Sequence, residues 1–160
     1  MALTDEKKVN DIIDINIDAI KKTRFRINGD SKAIIELNLS DMGIVERLEK
    51  GLEQLQNYMH DVASVDTEDA DFTSKLKEIN EKMCESVDYI FDYPVSAVCS
   101  KGGTMYDLYD GMFRYEHIID GLSKLYTNNL NEEFKKLRKR VQKYTDKYTA
   151  PKSTPKRKKS

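Results

Sequence analysis

VERLEKGLEQLQNYMHDV, residues 45–62, decides the class of fold. Its apolar residues Val45, Leu48, Leu52, Leu55, Met59 and Val62 recur at steps of 3, 4, 3, 4 and 3, which places them along one helix face. Ser40 or Asp41 stands where a helix cap belongs. After an acidic linker (Asp66, Glu68, Asp69, Asp71), Phe72, Leu76, Ile79, Met83, Val87 and Ile90 repeat the same 3 and 4 spacing. Two amphipathic helices joined by a short polar linker predict an antiparallel helical hairpin.

Toward the N-terminus the period changes. TRFRI (23–27) and AIIELNL (33–39) are β-prone runs on either side of Asn28-Gly29-Asp30. Asn and Gly accept the positive φ of a tight turn, so a β-hairpin is expected, with a loop longer than two residues. Such a hairpin is marginal in water and must pack on helices or pair with another chain. Residues 1–20 form a separate segment in which Ile13, Ile15 and Ile17 alternate like a strand while Ile13, Ile17 and Ile20 fit a helix. The density of β-branched isoleucine favours extended structure.

Toward the C-terminus, residues 92–112 break the helical pattern. Pro94 can start a short helical turn that Gly102-Gly103 ends, and Tyr93, Tyr106 and Tyr109 are expected to hold the segment down as an ordered loop. A third helix carries Phe113, Tyr115, Ile118, Ile119, Leu122 and Leu125, and Asn128-Asn129 is expected to interrupt it. A fourth has Leu130, Phe134, Leu137, Val141, Tyr144 and Tyr148 at steps of 4, 3, 4, 3 and 4 under a basic outer face. From Thr149 only Pro, Ser, Thr, Ala and basic residues remain, so 149–160 is expected to be a disordered basic tail. The expectation is a mostly α, α+β fold: one domain over 21–148 with an N-terminal β-hairpin, about four amphipathic helices and that tail.

Composition limits the function classes. At 39% apolar and 34% charged residues, the core must be thin and lie along the seams between helices. No run approaches the length of a membrane span, and the N-terminus lacks the apolar stretch of a signal peptide, so a cytoplasmic protein is expected. The net charge of −1 hides an asymmetry: residues 131–160 hold 12 Lys/Arg against three acids, leaving 15 against 25 in residues 1–130. The balance is therefore +9 in the last 30 residues and −10 in the rest. Either the basic end folds onto its own acidic body, or it reaches an acidic partner.

Catalytic candidates are few. His60 and His117 each stand alone on a predicted helix with no His-x-x-x-His or Glu-x-x-His partner. Cys84 and Cys99 fit no zinc or redox motif and are expected to be reduced, with Cys99 read as a buried thiol. Gly102-Gly103-Thr104 lacks the spacing of a phosphate loop. Asp107, Asp110 and Gly111 lack the ligand ladder of a calcium loop. No enzyme, metal or cofactor is expected. Binding features are stronger: the seams at Val45, Leu48, Leu52, Leu55 and at Phe134, Leu137, Val141, Tyr144 fit each other, a second copy, or a helix of another protein. Lys152, Lys156, Arg157, Lys158 and Lys159 have the make-up of a nucleic-acid arm, but no aromatics are interleaved and the acidic body would repel phosphate.

The stretch IDAIKKTRFRINGD (17–30), followed by IELNLSD (35–41), resembles a family of small proteins encoded in the tail-morphogenesis regions of phages and prophages of Gram-positive bacteria. DYIF (88–91), SAVC (96–99), MYD (105–107), FRYEHII (113–119) and the run from Glu133 to Thr149 are similar to the same family. The resemblance implies a tail assembly chaperone, in outline a small β element followed by helices. It also implies self-association and binding to the tape measure protein, with no catalytic residues to carry over. Two alternatives remain open at this point: a structural component retained in the tail or connector, and a nucleic-acid-binding regulator using the basic C-terminus.

Overall fold

A computed structural model describes residues 11–15, 17 and 21–159, with side chains up to Lys143. The chain runs through strands β1 (Thr23–Arg26) and β2 (Ile34–Leu37), then helices α1 (Ile44–Ser64), α2 (Phe72–Phe91) and α3 (Val95–Ser100). Strands β3 (Leu108–Tyr109) and β4 (Met112–Phe113) follow, and the long helix α4 (Arg114–Lys159) completes it. This is the mostly α, α+β architecture expected from the sequence. Residues 11–15 and 17 form neither helix nor strand, and the rest of the 1–20 segment lies outside the described residues.

The first hairpin forms as its sequence dictates. β1 and β2 pair antiparallel with Phe25 opposite Ile35 and Arg26 opposite Ile34. Asn28 and Gly29 take φ of 52° and 73°, and the Asp30 amide closes the turn onto the Ile27 carbonyl at 3.0 Å. A second turn from Asp30 to Ala33 accounts for the extra loop length, with the Lys32 amide donating to Asp30 Oδ1. Along β2 and the Ala33 before it the pleat alternates, so Ala33, Ile35 and Leu37 are buried while Glu36 is exposed.

α1 and α2 form the expected antiparallel pair, packed against each other and linked through an exposed acidic turn. Asp41 rather than Ser40 organises the start of α1: its carboxylate accepts the Gly43 amide and holds Arg47 at 2.6 Å. Arg47 in turn donates to the Ile90 carbonyl of α2 at 3.0 Å. Between the helices Gly51 leaves no room for a side chain, since a Cβ there would lie 2.3 Å from Ile90 Cγ1. α2 ends where Asp92 adopts φ 52° just before Pro94, a C-terminal stop followed by a residue that cannot continue the helix.

α3 is the short turn expected after Pro94, ended by Lys101 at φ 47° and Gly102 at φ 86°. The segment that follows is held down by backbone accounting. The Met105 amide donates to Asn80 Oδ1 at 2.7 Å, and the Tyr106 hydroxyl donates to the Leu76 carbonyl. Beyond the ordered loop expected there, it contains a second hairpin, β3–β4, turned by Asp110 and Gly111 at φ 52° and 77°. The Asp110-Gly111 pair is therefore a turn signal. Glu116 accepts the Phe113 amide at 3.0 Å, one half of a capping box that starts α4.

The core gathers Ile35 and Leu37 from β2, Ile44 and Leu55 from α1, and Met83, Val87, Ile90 and Phe91 from α2. Val95, Met105 and the first turns of α4 (Tyr115, Ile118, Ile119, Leu122, Tyr126) close it. α4 corrects the expected break: it passes through Asn128-Asn129 without interruption. Among the described residues there are four helices, but the short α3 is one of them and the predicted third and fourth helices are one rod. Its backbone continues through 149–159, where a disordered tail is expected. Pro151 and Pro155 have no amide proton to donate to that ladder.

Candidate binding surface

α4 changes character at Asn129. Up to Tyr126 its apolar side chains are buried in the body, Leu125 only partly, whereas every described residue from Asn131 to Lys143 is exposed. The amide of Asn129 donates to the Leu39 carbonyl at 3.0 Å and approaches the Ser40 hydroxyl at 3.3 Å, pinning the rod as it leaves the body. The rest is an arm with no other element packed along it among the described residues. Its apolar residues Phe134, Leu137 and Val141 are 37%, 44% and 55% exposed. At the arm's base Met42, Leu130, Phe134 and Leu137 line a groove of about 500 Å³, rimmed by Glu133, Lys136 and Arg140.

The two seams singled out by spacing therefore have different fates. In the first, Leu55 is fully buried in the core, and Leu48 and Leu52 are half-buried against it. Leu55 is thus closed to any partner, and Leu48 and Leu52 pack on the core with only part of their surface open. Val45 is 61% exposed, and Ile44, not Val45, begins the core face of α1. In the second seam Phe134, Leu137 and Val141 lie together on the open face of the arm, while the side chain of Tyr144 lies outside the described residues. So do the side chains of Lys152, Lys156, Arg157, Lys158 and Lys159. Met42 was not foreseen as part of the surface; its signal was an apolar residue stranded between Asp41 and Gly43, ahead of the helix.

The arm is strongly basic. Lys135 and Lys136 approach Glu132 and Glu133 at 3.8 and 3.7 Å. Among the described residues no acid pairs with Arg138, Lys139, Arg140 or Lys143. At 100° per residue, Arg138 and Arg140 fall on opposite sides of the Leu137–Val141 stripe.

Apart from His60, the groups weighed for chemistry are engaged in structure. Burial pushes the Cys99 thiol up to about 11, and the nearby Asp88 charge adds to it, so the thiol is protonated at neutral pH. Burial also raises Cys84. His117 stacks on Tyr109 with ring centroids 4.2 Å apart, its Nε2 lying 2.9 Å from the Tyr109 carbonyl oxygen. His60 lies exposed on α1. Asp107 binds the Thr104 hydroxyl and amide and the Arg114 guanidinium, and these hold its carboxyl below the usual range. Among the described residues no group of three or more His, Cys, Asp or Glu is arranged to hold a metal ion. No helix among them is long and apolar enough to cross a membrane.

What the geometry defines is a small helical body with a projecting, basic, amphipathic arm. Comparison with protein-family models, curated sequences and solved structures returns no match.

Proposed function

We propose that this chain is a non-catalytic phage tail assembly chaperone that acts in the host cytoplasm and holds a helical segment of the tape measure protein along the α4 arm. The observation that carries the reading is the open stripe Phe134, Leu137, Val141 on a helix that has left its body. A single exposed apolar residue is ordinary on a protein surface, but three in register on one unpartnered helix face are a docking surface. The sequence resemblance to tail-morphogenesis proteins supplies the partner. A long helical protein waiting to assemble exposes apolar stripes of its own, and covering them keeps it from aggregating.

The test is quantitative mass spectrometry of an induced lysate beside purified particles from the same culture. Abundance in the lysate with absence from the particle is expected of a protein that acts and leaves. Stoichiometric retention in the particle would make it a structural component of the tail or connector and overturn the chaperone reading.

A further inference from the structure

We infer that the segment the arm takes is an acidic amphipathic helix, one with an apolar 3,4 stripe flanked on both sides by Asp or Glu. The inference rests on the arm being the docking surface, as proposed above, and adds the chemistry of its occupant. Leu130, Phe134, Leu137 and Val141 recur at steps of 4, 3 and 4, a stripe about 16 Å long. Only a helix matches that period over three turns, because a strand presents a side chain to the same face every second residue.

Charge then selects among helices. Arg138 and Arg140 bracket the stripe on opposite sides, Arg140 rims the groove at its base beside the Lys136–Glu133 pair, and Arg138, Lys139, Arg140 and Lys143 have no acidic partner among the described residues. In a paired helix the residues flanking the apolar seam face each other across it and decide the partner. Over residues 131–143 the arm carries six basic residues against two acids, Glu132 and Glu133, so pairing of two arms is opposed by like net charge. A helix with acids at those flanking positions completes the pairs that the body leaves open. Since the flanks are exposed, these pairs contribute selectivity more than affinity, and salt weakens the selectivity first.

The experiment uses the full-length protein and labelled synthetic helices of about 20 residues, long enough to be helical on their own. One peptide carries Leu at 3,4 spacing flanked by Glu, and a second has the same stripe flanked by Lys. Fluorescence anisotropy is expected to show the Glu peptide binding at least about tenfold tighter than the Lys peptide at low salt. Leu137→Ser with Val141→Ser abolishes that binding, and Arg138→Glu with Arg140→Glu inverts the preference. Both pairs lie on exposed positions, and an unchanged circular dichroism melt confirms the fold. Equal affinity for the two peptides overturns the inference. So does a dimer in sedimentation that the Leu137/Val141 pair dissolves and the Glu peptide does not displace, since the stripe then belongs to a second copy. Loss of tape measure capture by the Leu137/Val141 variant together with flat peptide preference leaves the docking surface standing and removes only its acidic occupant. Retained capture by that variant removes the docking surface itself.

Discussion

The side-chain amide of Asn129 donates to the main-chain carbonyl of Leu39 across 90 residues of sequence, at 3.0 Å. On one side of this bond α4 is a core helix, with Tyr126 buried against Phe91 at a ring separation of 6.1 Å. On the other it is an arm. The bond ties the end of the hairpin to the base of the arm, so the groove beside Met42 has one fixed wall. Asn129→Ala should loosen that wall at a cost of about 1 kcal/mol. Amide exchange at residues 128–134 should quicken relative to the core turns at 118–126. Equal protection in the two proteins would show that packing at Leu130 alone holds the base.

Two glycines should respond to alanine with opposite sign. Gly51 faces Ile90 with no space for a Cβ, so Gly51→Ala should destabilise by about 1–3 kcal/mol as α1 and α2 are pushed apart. Gly121 lies in α4 with nothing within 4 Å of a Cβ, so Gly121→Ala should stabilise by about 0.5–1 kcal/mol through helix propensity. Urea midpoints of the two variants measure both signs at once.

The phase of α1 has its own check. Leu55→Ala should cost about 2–5 kcal/mol, as expected for a fully buried leucine. Val45→Ala should stay within about 0.5 kcal/mol, because that side chain is mostly in solvent.

Acid should unfold the protein through its depressed carboxylates. The Thr104 hydroxyl lowers Asp107 most, burial works against it, and the Thr104 amide and Arg114 lower it further. At Asp41 burial raises the carboxyl, but the Arg47 guanidinium and the Gly43 amide together outweigh it. For both, the folded value lies below the unfolded one. Their stabilisation is therefore fully present above the unfolded value of about 3.9 and is lost as pH falls through the folded values. Asp88 acts in the opposite direction: burial raises its carboxyl despite its bonds to Ser96, so it loses stability as pH rises through its own titration. Urea midpoints at pH 7 and pH 3 should fall less for Asp107→Asn than for the parent, from a lower starting point. A parallel fall would show that Asp107 is not coupled to folding.

Much of the fold was legible because particular residues allow little else. Asn28-Gly29 tolerates positive φ, and the 3,4 spacing of α1 and α2 fits only a helix face. The rest depended on tertiary context. Heptad counting put Val45 on the seam, yet in a straight α-helix it stands about 80° from Leu55, whereas Ile44 stands about 20° away. Asn128-Asn129 reads as a break from helix propensity, and the bond from Asn129 to Leu39 overrides it. The β3–β4 hairpin has two-residue strands, too short for a period to show, although Asp110-Gly111 was its signal. Of the candidate surface, the stripe was legible in the spacing. Which of the two stripes stays open was not, since that is decided by where α4 outruns the body.

The most direct measurement is co-expression of the full-length protein with its proposed partner, a phage tape measure protein, scoring how much partner is soluble and co-purifies. The wild-type chain should keep the partner soluble, and Leu137→Ser with Val141→Ser should lose it while the chain itself stays folded. Undiminished co-purification with that variant would contradict the account, because the partner would then be held elsewhere than on the α4 arm.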